Sequence, residues 1–321
     1  MHKASLFQEN EKTPVRLDSL DASAFNDSPS SIIRTGFLFG AMTVTMGPRV
    51  MSPAPAMDTP LAPSPDPLIA LPELRLHVAT YNIHKGFSQF NRRMVIHELR
   101  AGLRQLAPDI VFLQEVQGLH LGHAEKLAAW PDQPQHEFLA EDVWQDTAYG
   151  GNAVYDHGHH GNAILSRYPI LSTANQDISD HALEKRGLLH CEIQVPGLAS
   201  PLHCVCVHLG LFAGSRRRQM DALAQRMEEL APNNSPLIIA GDFNDWRNHA
   251  DGLLAERLGL TEVFCGATGR PARSFPSKLP VFRLDRIYAR GFGIERAEVH
   301  FGPPWSRISD HAALSAHLFV D

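Results

Sequence analysis

The chain is organised around Leu237-Ile238-Ile239-Ala240-Gly241-Asp242-Phe243-Asn244-Asp245-Trp246, in which an apolar run leads into polar residues. Four apolar residues have the length expected of a buried strand. Gly241 then allows a tight turn, and Asp242 and Asn244 follow two positions apart. If the chain stays extended, both side chains point the same way, so a carboxylate able to deprotonate water lies beside an amide able to bind an oxyanion. The alternative is a simple turn that closes the strand, because Gly, Asp and Asn are all turn formers.

Composition narrows the class of protein before any motif is considered. A length of 321 residues allows one large domain or two ordinary ones, and a hydrophobic content of 44% is typical of a chain with a proper core. The net charge of −6 argues against a surface built as a whole for a polyanion. No apolar run is long enough to span a bilayer. We therefore expect a protein without an integral membrane span, and a monomer.

The four cysteines fit neither a disulfide framework nor a zinc knuckle. Cys204 and Cys206 alternate along an apolar run, so they share one face of a predicted strand. We interpret them as small buried residues. Reduced thiols and the lack of a clear signal peptide predict a cytoplasmic location.

Residues 1–72 differ in composition from the rest of the chain. Ser, Pro, Asp and Ala dominate there, and residues 51–72 repeat proline without helical or strand periodicity. Such a segment buries too little apolar surface to offset its ordering entropy, which predicts a disordered leader. A wrongly chosen upstream start codon and a targeting segment around residues 35–46 are the alternatives. Residues 73–321 are predicted to form the folded domain.

Within that domain, apolar patterns predict alternating strands and helices. Strands are predicted at 76–83, 110–113, 161–168, 188–195, 203–207, 237–240, 284–288 and 313–320. Helices are predicted from Asn91, as a cap, to residue 106, over 216–230 and over 250–257. Residues 117–160 are predicted to be a long, partly ordered excursion. Its end, His157-Gly158-His159-His160, favours a loop lining a cleft over a metal site, because the spacing lacks the helical i, i+4 geometry of a zinc motif.

Polar residues recur where the predicted strands end. They are Asn82, Glu115, Asn162, His208, Asp242, Asn244, Asp285, Asp310 and His311. Each has an ordinary explanation alone, as a turn former, a strand-end charge or a core histidine. Together they supply what metal-assisted phosphoester hydrolysis needs: carboxylates for a hard cation, a group that deprotonates water, and donors for the phosphoryl oxygens.

Seven motifs occur in the order typical of one enzyme family. They are Thr80-Tyr81-Asn82-Ile83, Leu113-Gln114-Glu115-Val116, Gly161-Asn162-Ala163-Ile164-Leu165-Ser166-Arg167, Val207-His208-Leu209, Gly241-Asp242-Phe243-Asn244, Leu284-Asp285-Arg286-Ile287 and Ser309-Asp310-His311. The set resembles the endonuclease/exonuclease/phosphatase superfamily, which includes DNase I-like nucleases, apurinic endonucleases, neutral sphingomyelinases and inositol polyphosphate phosphatases.

This resemblance implies a four-layer α/β sandwich, with two mostly antiparallel sheets face to face, helices outside and the site at one end. It implies Mg²⁺, with Mn²⁺ able to substitute, held by Glu115 with help from Asn82 and Asp310. Asp242 would orient and activate the attacking water. The remaining implied roles are phosphoryl-oxygen binding by Asn244 and His208, transition-state stabilisation by His311, orientation of that imidazole by Asp285, and a phosphate-facing position for Asn82, Asn162 and Arg186.

The resemblance leaves the substrate open. The tyrosine and DNA-gripping loops shared by apurinic endonucleases have no clear counterpart, and the pattern is most similar to an uncharacterised bacterial subgroup, some of whose genes lie beside phospholipid synthases of the cardiolipin type. We therefore expect a phosphodiesterase acting on a phospholipid-derived or other small phosphodiester. A DNA or RNA nuclease is the alternative, and a non-catalytic phosphate-binding module is a third hypothesis.

Overall fold

A computed structural model describes residues 74–120, 127, 129–155, 158–181, 184–232, 234–246 and 250–320. The predicted leader, residues 1–72, and His157 of the histidine cluster lie outside the described residues. The boundary between leader and domain therefore stays a prediction.

The described residues form twelve strands and five α-helices. The strands are Leu74–Asn82 (β1), Ile110–His120 (β2), Asp146–Tyr155 (β3), Gly158–Ser166 (β4), Ile170–Asp177 (β5), Gly187–Ile193 (β6), Leu202–His208 (β7), Leu237–Asp242 (β8), Thr261–Glu262 (β9), Asp285–Arg290 (β10), Gly293–His300 (β11) and Ala313–Val320 (β12). The helices are Ile96–Leu106 (α1), Gln135–Ala140 (α2), Ala213–Leu230 (α3), Ala250–Leu258 (α4) and Val263–Thr268 (α5).

The strands pair into two six-stranded sheets. Sheet 1 has the order β11-β12-β1-β2-β4-β3, and sheet 2 has the order β5-β6-β7-β8-β10-β9. Each sheet contains one parallel pair, β1 with β2 and β7 with β8, and its other neighbours are antiparallel. The predicted pair of mostly antiparallel sheets is confirmed.

Three apolar clusters stack these sheets and helices into four layers. The central cluster joins side chains of sheet 1, such as Phe112, to side chains of sheet 2, such as Ile238. A second cluster packs the outer face of sheet 2 on α3 and α4, and a third packs sheet 1 on α1 and α2. Cys204 and Cys206 are free thiols buried in the central cluster, as predicted.

The two parallel pairs gather the polar strand ends at one end of the sandwich. Strands that run in parallel finish at the same edge of a sheet, and the register aligns His208 with Asp242 and Asn82 with Gln114. Antiparallel β10 begins where β8 ends, so Asp285 lies opposite Asp242. The fold therefore brings together residues that are far apart in sequence, such as Asn82 and Asp285.

Two predicted features of the fold are wrong. Residues 117–160 are not an excursion: they contain the end of β2, α2, β3 and the beginning of β4, and they complete sheet 1. Asn91 does not cap α1, which begins at Ile96 with Val95 at its N-cap, because residues 89–91 form a separate 3₁₀ turn. Among the described helices, none has both the length and the apolar character needed to cross a bilayer.

Candidate active site

Asn82 is the last residue of β1, and Glu115 lies at a bulge within the neighbouring strand β2. Glu115 has a left-handed backbone, with φ of 57°, at the point where the β2–β4 register shifts between Leu113 and Val116. Such a conformation costs a non-glycine residue about 1–3 kcal/mol and is typical of functional sites. The bulge leaves the Glu115 side chain 21% exposed, with its Oε1 3.5 Å from Nδ2 of Asn82 and its Oε2 3.9 Å from Nζ of Lys85.

Asp242, the last residue of β8, connects the two sheets. Its buried carboxylate accepts hydrogen bonds from the backbone N–H of Asn244 at 2.9 Å and from Nδ2 of Asn82 at 3.1 Å. Nε2 of His208 and Nε2 of His311 lie 3.5 and 3.7 Å from its Oδ2. Four groups from different segments thus converge on one carboxylate.

Burial raises the pKa of Asp242 to about 7. The positive charge of His311 opposes this rise, the negative charge of Asp285 adds to it, and the hydrogen bonds from Asn244 and Asn82 oppose it. A carboxyl group with a pKa near neutrality can exchange a proton with a reacting water at physiological pH.

His311 and Asp285 form a buried pair next to Asp242. Nδ1 of His311 lies 2.8 Å from Oδ2 of Asp285, and this hydrogen bond fixes the orientation of the ring. Burial alone would lower the pKa of His311, but the carboxylates of Asp285 and Asp242 raise it to about 10. The pair therefore presents an imidazolium whose free Nε2 faces Asp242.

Asp310 is tied to the end of β1 through its neighbour Ser309. The Ser309 hydroxyl donates to the backbone carbonyl of Asn82 at 2.7 Å, and it lies 3.4 Å from Oδ1 of Asp310. The same carboxylate oxygen lies 3.5 Å from Nδ1 of His84. Asp310 thus belongs to the Asn82 side of the site.

His208 and Asn244 complete the group around Asp242. Burial lowers the pKa of His208 well below its ordinary value, and the charges of Arg186 and His311 lower it further, so the imidazole is neutral at physiological pH. Asn244 has φ of 48°, and its Nδ2 donates to the Leu209 carbonyl at 2.9 Å. That contact orients the amide and leaves its second N–H available.

These residues open into a cleft of about 340 Å³. Its lining includes the predicted residues Asn82, Glu115, Arg186, His208, Asp242, Asn244 and His311. Asp285 supports His311 without lining the cleft. Arg186 is anchored by Glu184 at 2.9 Å and by the Leu209 carbonyl at 3.1 Å, so it is a fixed positive charge at the cleft wall.

Asn162 does not lie where the prediction needs it. Its Nδ2 donates to the carbonyls of Gly187 and Cys206 at 2.9 and 3.2 Å, which ties β4 to sheet 2. Both amide hydrogens are occupied, so the structure gives Asn162 a strand-joining contact rather than a contact with phosphate.

Sequence reasoning left several cleft residues outside the predicted site. They are Lys85, His160, Leu211, Trp246, Phe275 and Leu284. His160 lines the cleft as expected, but from β4 and not from a loop. His160 precedes Asn162 by two positions, and in a strand this spacing places both side chains on the same face, which could have identified His160 as a candidate. The apolar cleft residues Leu211, Trp246, Phe275 and Leu284 come from three separate loops, and no sequence pattern links them to the site.

Two groups of side chains offer metal ligands. Atoms of Asp242, Asp285 and His311 lie within 4.8 Å of one another, but Nδ1 of His311 and Oδ2 of Asp285 are already hydrogen-bond partners. Glu115 and Asp310 offer partly exposed carboxylate oxygens, and Asn82 offers an amide oxygen that accepts from the His84 backbone N–H at 3.1 Å. Mg²⁺ prefers such hard oxygen ligands, so the second group fits this ion better.

Comparisons with known proteins identify the family of this chain. The model of the endonuclease/exonuclease/phosphatase family matches residues 79–311. The uncharacterized protein YbhP of Escherichia coli K12 is 48% identical over 243 residues, which are 76% of this chain and 96% of YbhP.

Two solved structures show the same fold. An endonuclease/exonuclease/phosphatase from Beutenbergia cavernae is 20% identical, with a TM-score of 0.61 over 77% of this chain and 72% of that chain. The mannosyl-6-phosphatase Bt3783 of Bacteroides thetaiotaomicron is 17% identical, with a TM-score of 0.58 over 76% of this chain and 99% of that chain. The resemblance inferred from the motifs is confirmed: the chain belongs to the endonuclease/exonuclease/phosphatase family.

Proposed function

We propose that this protein is a Mg²⁺-dependent phosphodiester hydrolase. Family membership is consistent with a phosphoester hydrolase. The observation that carries the proposal is Asp242, with a pKa of about 7, which lies beside the His311–Asp285 pair, accepts from Asn82 and shares one cleft with the Glu115 carboxylate. A base, a cationic donor and a cation site then share one cleft.

Glu115, Asp310 and Asn82 would hold the ion, and Mn²⁺ can substitute because it accepts the same ligands. When bound, the ion supplies positive charge that stabilises the phosphoryl oxygens as negative charge develops on them. The assignment is supported by the position of Glu115, whose partly exposed carboxylate lines the cleft; Nζ of Lys85, 3.9 Å from its Oε2, is a competing cation that the ion would displace.

The chain's own residues supply the proton transfer and the remaining contacts. Asp242 takes a proton from the attacking water as the water oxygen bonds to phosphorus, and Asn82 and the Asn244 backbone keep its carboxylate in place. The P–O bond to the leaving alcohol breaks in the same displacement, and the leaving oxygen takes a proton from solvent. His311 donates from Nε2 to a phosphoryl oxygen, while Asp285 keeps the ring charged and oriented. The free N–H of Asn244 and the neutral ring of His208 bind the other phosphoryl oxygens.

The apolar part of the cleft favours an amphipathic diester. Leu211, Trp246, Phe275 and Leu284 line the same cleft, and they suit a phospholipid-derived or small organic phosphodiester. A nuclease is the second candidate, because exposed aromatic rings such as Trp246 can stack on bases. The monomeric state and the cytoplasmic location stay predictions.

Hydrolysis of bis-p-nitrophenyl phosphate tests the reaction class. We expect turnover that needs Mg²⁺ and that falls about 10²–10⁴-fold in Asp242→Ala, the effect of losing a general base. Asp221→Ala is the control, because Asp221 is an exposed acid paired with Arg257 on the outside of α3. A folded wild type that is inactive with every divalent ion would favour the non-catalytic binding module.

A substrate panel then separates the two candidate functions. It contains plasmid DNA, single-stranded RNA, sphingomyelin and glycerophosphodiesters. Turnover of a lipid-derived diester, without cleavage of the nucleic acids, is the expected result. Preferential cleavage of DNA or RNA would replace the proposal with the nuclease.

A further inference from the structure

Exposed apolar side chains cluster beside the mouth of the cleft. Leu279 is 72% exposed, and Val281 and Phe282 in the same segment are also exposed. The Phe282 ring packs edge-on against Trp246 at 4.9 Å, and Trp246 lines the cleft. This segment therefore continues the apolar wall of the cleft out to the molecular surface.

A second part of the cleft rim is apolar as well. Leu211 lines the cleft and is 54% exposed, and Phe212, just before α3, is 64% exposed. Several exposed apolar groups around one opening are typical of a surface that meets an apolar partner. We call residues 278–283 with Trp246, Leu211 and Phe212 the docking face.

Positive charge accompanies these apolar groups. Residues 270–284 contain Arg270, Arg273, Lys278 and Arg283 but no Asp or Glu, although the whole chain has a net charge of −6. Within the part of the chain that the structure describes, these four side chains form no ion pair with a carboxylate. They are available to an external anion.

An apolar pocket adjoins the same segment and shares Leu279 with the docking face. Its volume is about 560 Å³, and its lining includes Phe264, Ala272, Leu279, Pro280, Val299 and Phe301. Arg270, Arg273 and Arg283 also line it. A pocket with apolar walls and arginines suits an acyl chain whose headgroup is anionic.

We propose that the docking face binds the surface of an anionic phospholipid bilayer, so that a diester in the headgroup layer reaches the cleft. The apolar groups enter the interface while the cations meet lipid phosphates. Aliphatic Leu279 and Val281 favour a bilayer over a nucleic acid, because they cannot stack on bases. The delivery of substrate rests on the proposed function, whereas binding to the bilayer does not.

Co-sedimentation of the full-length protein with vesicles tests this inference. The vesicles contain phosphatidylcholine alone or phosphatidylcholine mixed with phosphatidylglycerol, and EDTA is present so that binding is measured without turnover. We expect wild type to bind the mixed vesicles preferentially and less strongly at high salt. Leu279→Ser should weaken binding about tenfold, and Lys278→Glu at least about fivefold.

Leu171→Ser is the matched control, because Leu171 is an exposed leucine on β5 outside the docking face. Its binding should equal that of wild type. Equal binding of Leu279→Ser and wild type, or no preference for phosphatidylglycerol, would overturn the inference. So would binding of a DNA or RNA oligomer in place of vesicles. Hydrolysis of soluble bis-p-nitrophenyl phosphate is measured separately, so an inactive protein that still binds vesicles contradicts only the proposed function.

Discussion

At the scale of single residues, the His311–Asp285 pair is the strongest electrostatic feature of the site. A buried imidazole with a raised pKa stabilises the folded chain only while it is charged. Its contribution is full below the unfolded pKa of 6.5 and is lost as the pH rises through the folded pKa of about 10. The pair therefore links stability to pH on the alkaline side.

This linkage predicts the behaviour of His311→Gln. In EDTA, the wild-type Tm should exceed that of the variant most at or below pH 6.5, and the difference should shrink steadily towards pH 10. Each kcal/mol lost lowers Tm by about 2–4 °C in a domain of this size. Thermal unfolding followed by circular dichroism measures the difference. A difference that does not change with pH would contradict a charged, carboxylate-paired His311.

Glu115 and Asp285 are both acidic residues of the candidate site, but substituting them should change different kinetic quantities. Glu115→Gln removes a charged ligand, so the Mg²⁺ concentration for half-maximal rate should rise by at least about tenfold. Asp285→Asn leaves the proposed ligands intact and should lower kcat with little change in that concentration. Rates measured over a Mg²⁺ series test both variants. Equal shifts in their metal requirement would show that the assigned roles are incorrect.

Most polar residues of the candidate site could be predicted because their motifs are local in sequence. The backbone conformation and hydrogen-bond partners of these residues could not be predicted. The left-handed backbone of Glu115 comes from the mismatch between β2 and β4, and the engagement of Asn162 comes from carbonyls on sheet 2. Both depend on strands that meet only in the folded chain.

At the scale of the elements, β8 and the glycine near its end control the approach of two parallel strands. A Cβ atom on Gly241 would lie 1.9 Å from the carbonyl oxygen of Val207 in β7, and φ at this position is 150°. Backbone atoms of two paired strands cannot move aside cheaply. The absence of a side chain at residue 241 therefore permits the register that aligns His208 with Asp242.

Gly241→Ala should consequently destabilise the domain by at least about 2 kcal/mol. The corresponding Tm decrease is about 4–8 °C. Gly252→Ala in α4 is the matched control, because no atom lies within 4 Å of its added Cβ and alanine favours a helix. Its Tm should be unchanged or slightly higher. A tolerated Gly241→Ala would mean that β7 and β8 separate more easily than this contact allows.

Elements with a strong apolar pattern were predictable, and edge elements were not. The central strands β1, β7, β8 and β12 have long buried runs. By contrast, β5 is almost entirely exposed and β11 is charged, since each lies at the edge of its sheet. The sequence of β3, rich in Gly and polar residues, also lacks the pattern. Its pairing with β4 is what holds it in sheet 1.

At the scale of the whole molecule, metal binding should stabilise the fold, because the proposed ligands come from distant segments that unfolding separates. A ligand at one hundred times its Kd adds about 2.7 kcal/mol to the stability. Saturating Mg²⁺ should thus raise the wild-type Tm by about 5–10 °C. Differential scanning fluorimetry with Mg²⁺ and with EDTA measures the shift. The Mg²⁺-induced rise in Tm should be smaller in Glu115→Gln than in wild type. An equal rise in the two proteins would show that the ion binds elsewhere.

The two sheets contribute different parts of the proposed chemistry. Asn82, Glu115 and Asp310 belong to sheet 1 or its loops, whereas His208, Asp242, Asn244 and Asp285 belong to sheet 2 or its loops. Sliding one layer against the other would stretch the Asn82–Asp242 and His311–Asp285 hydrogen bonds that join them, and it would change the distance from cation to base. The central apolar cluster, which includes the buried residues Cys204 and Cys206, thus sets the spacing between the two halves of the site, and a bulkier side chain at either position would act on catalysis through that spacing.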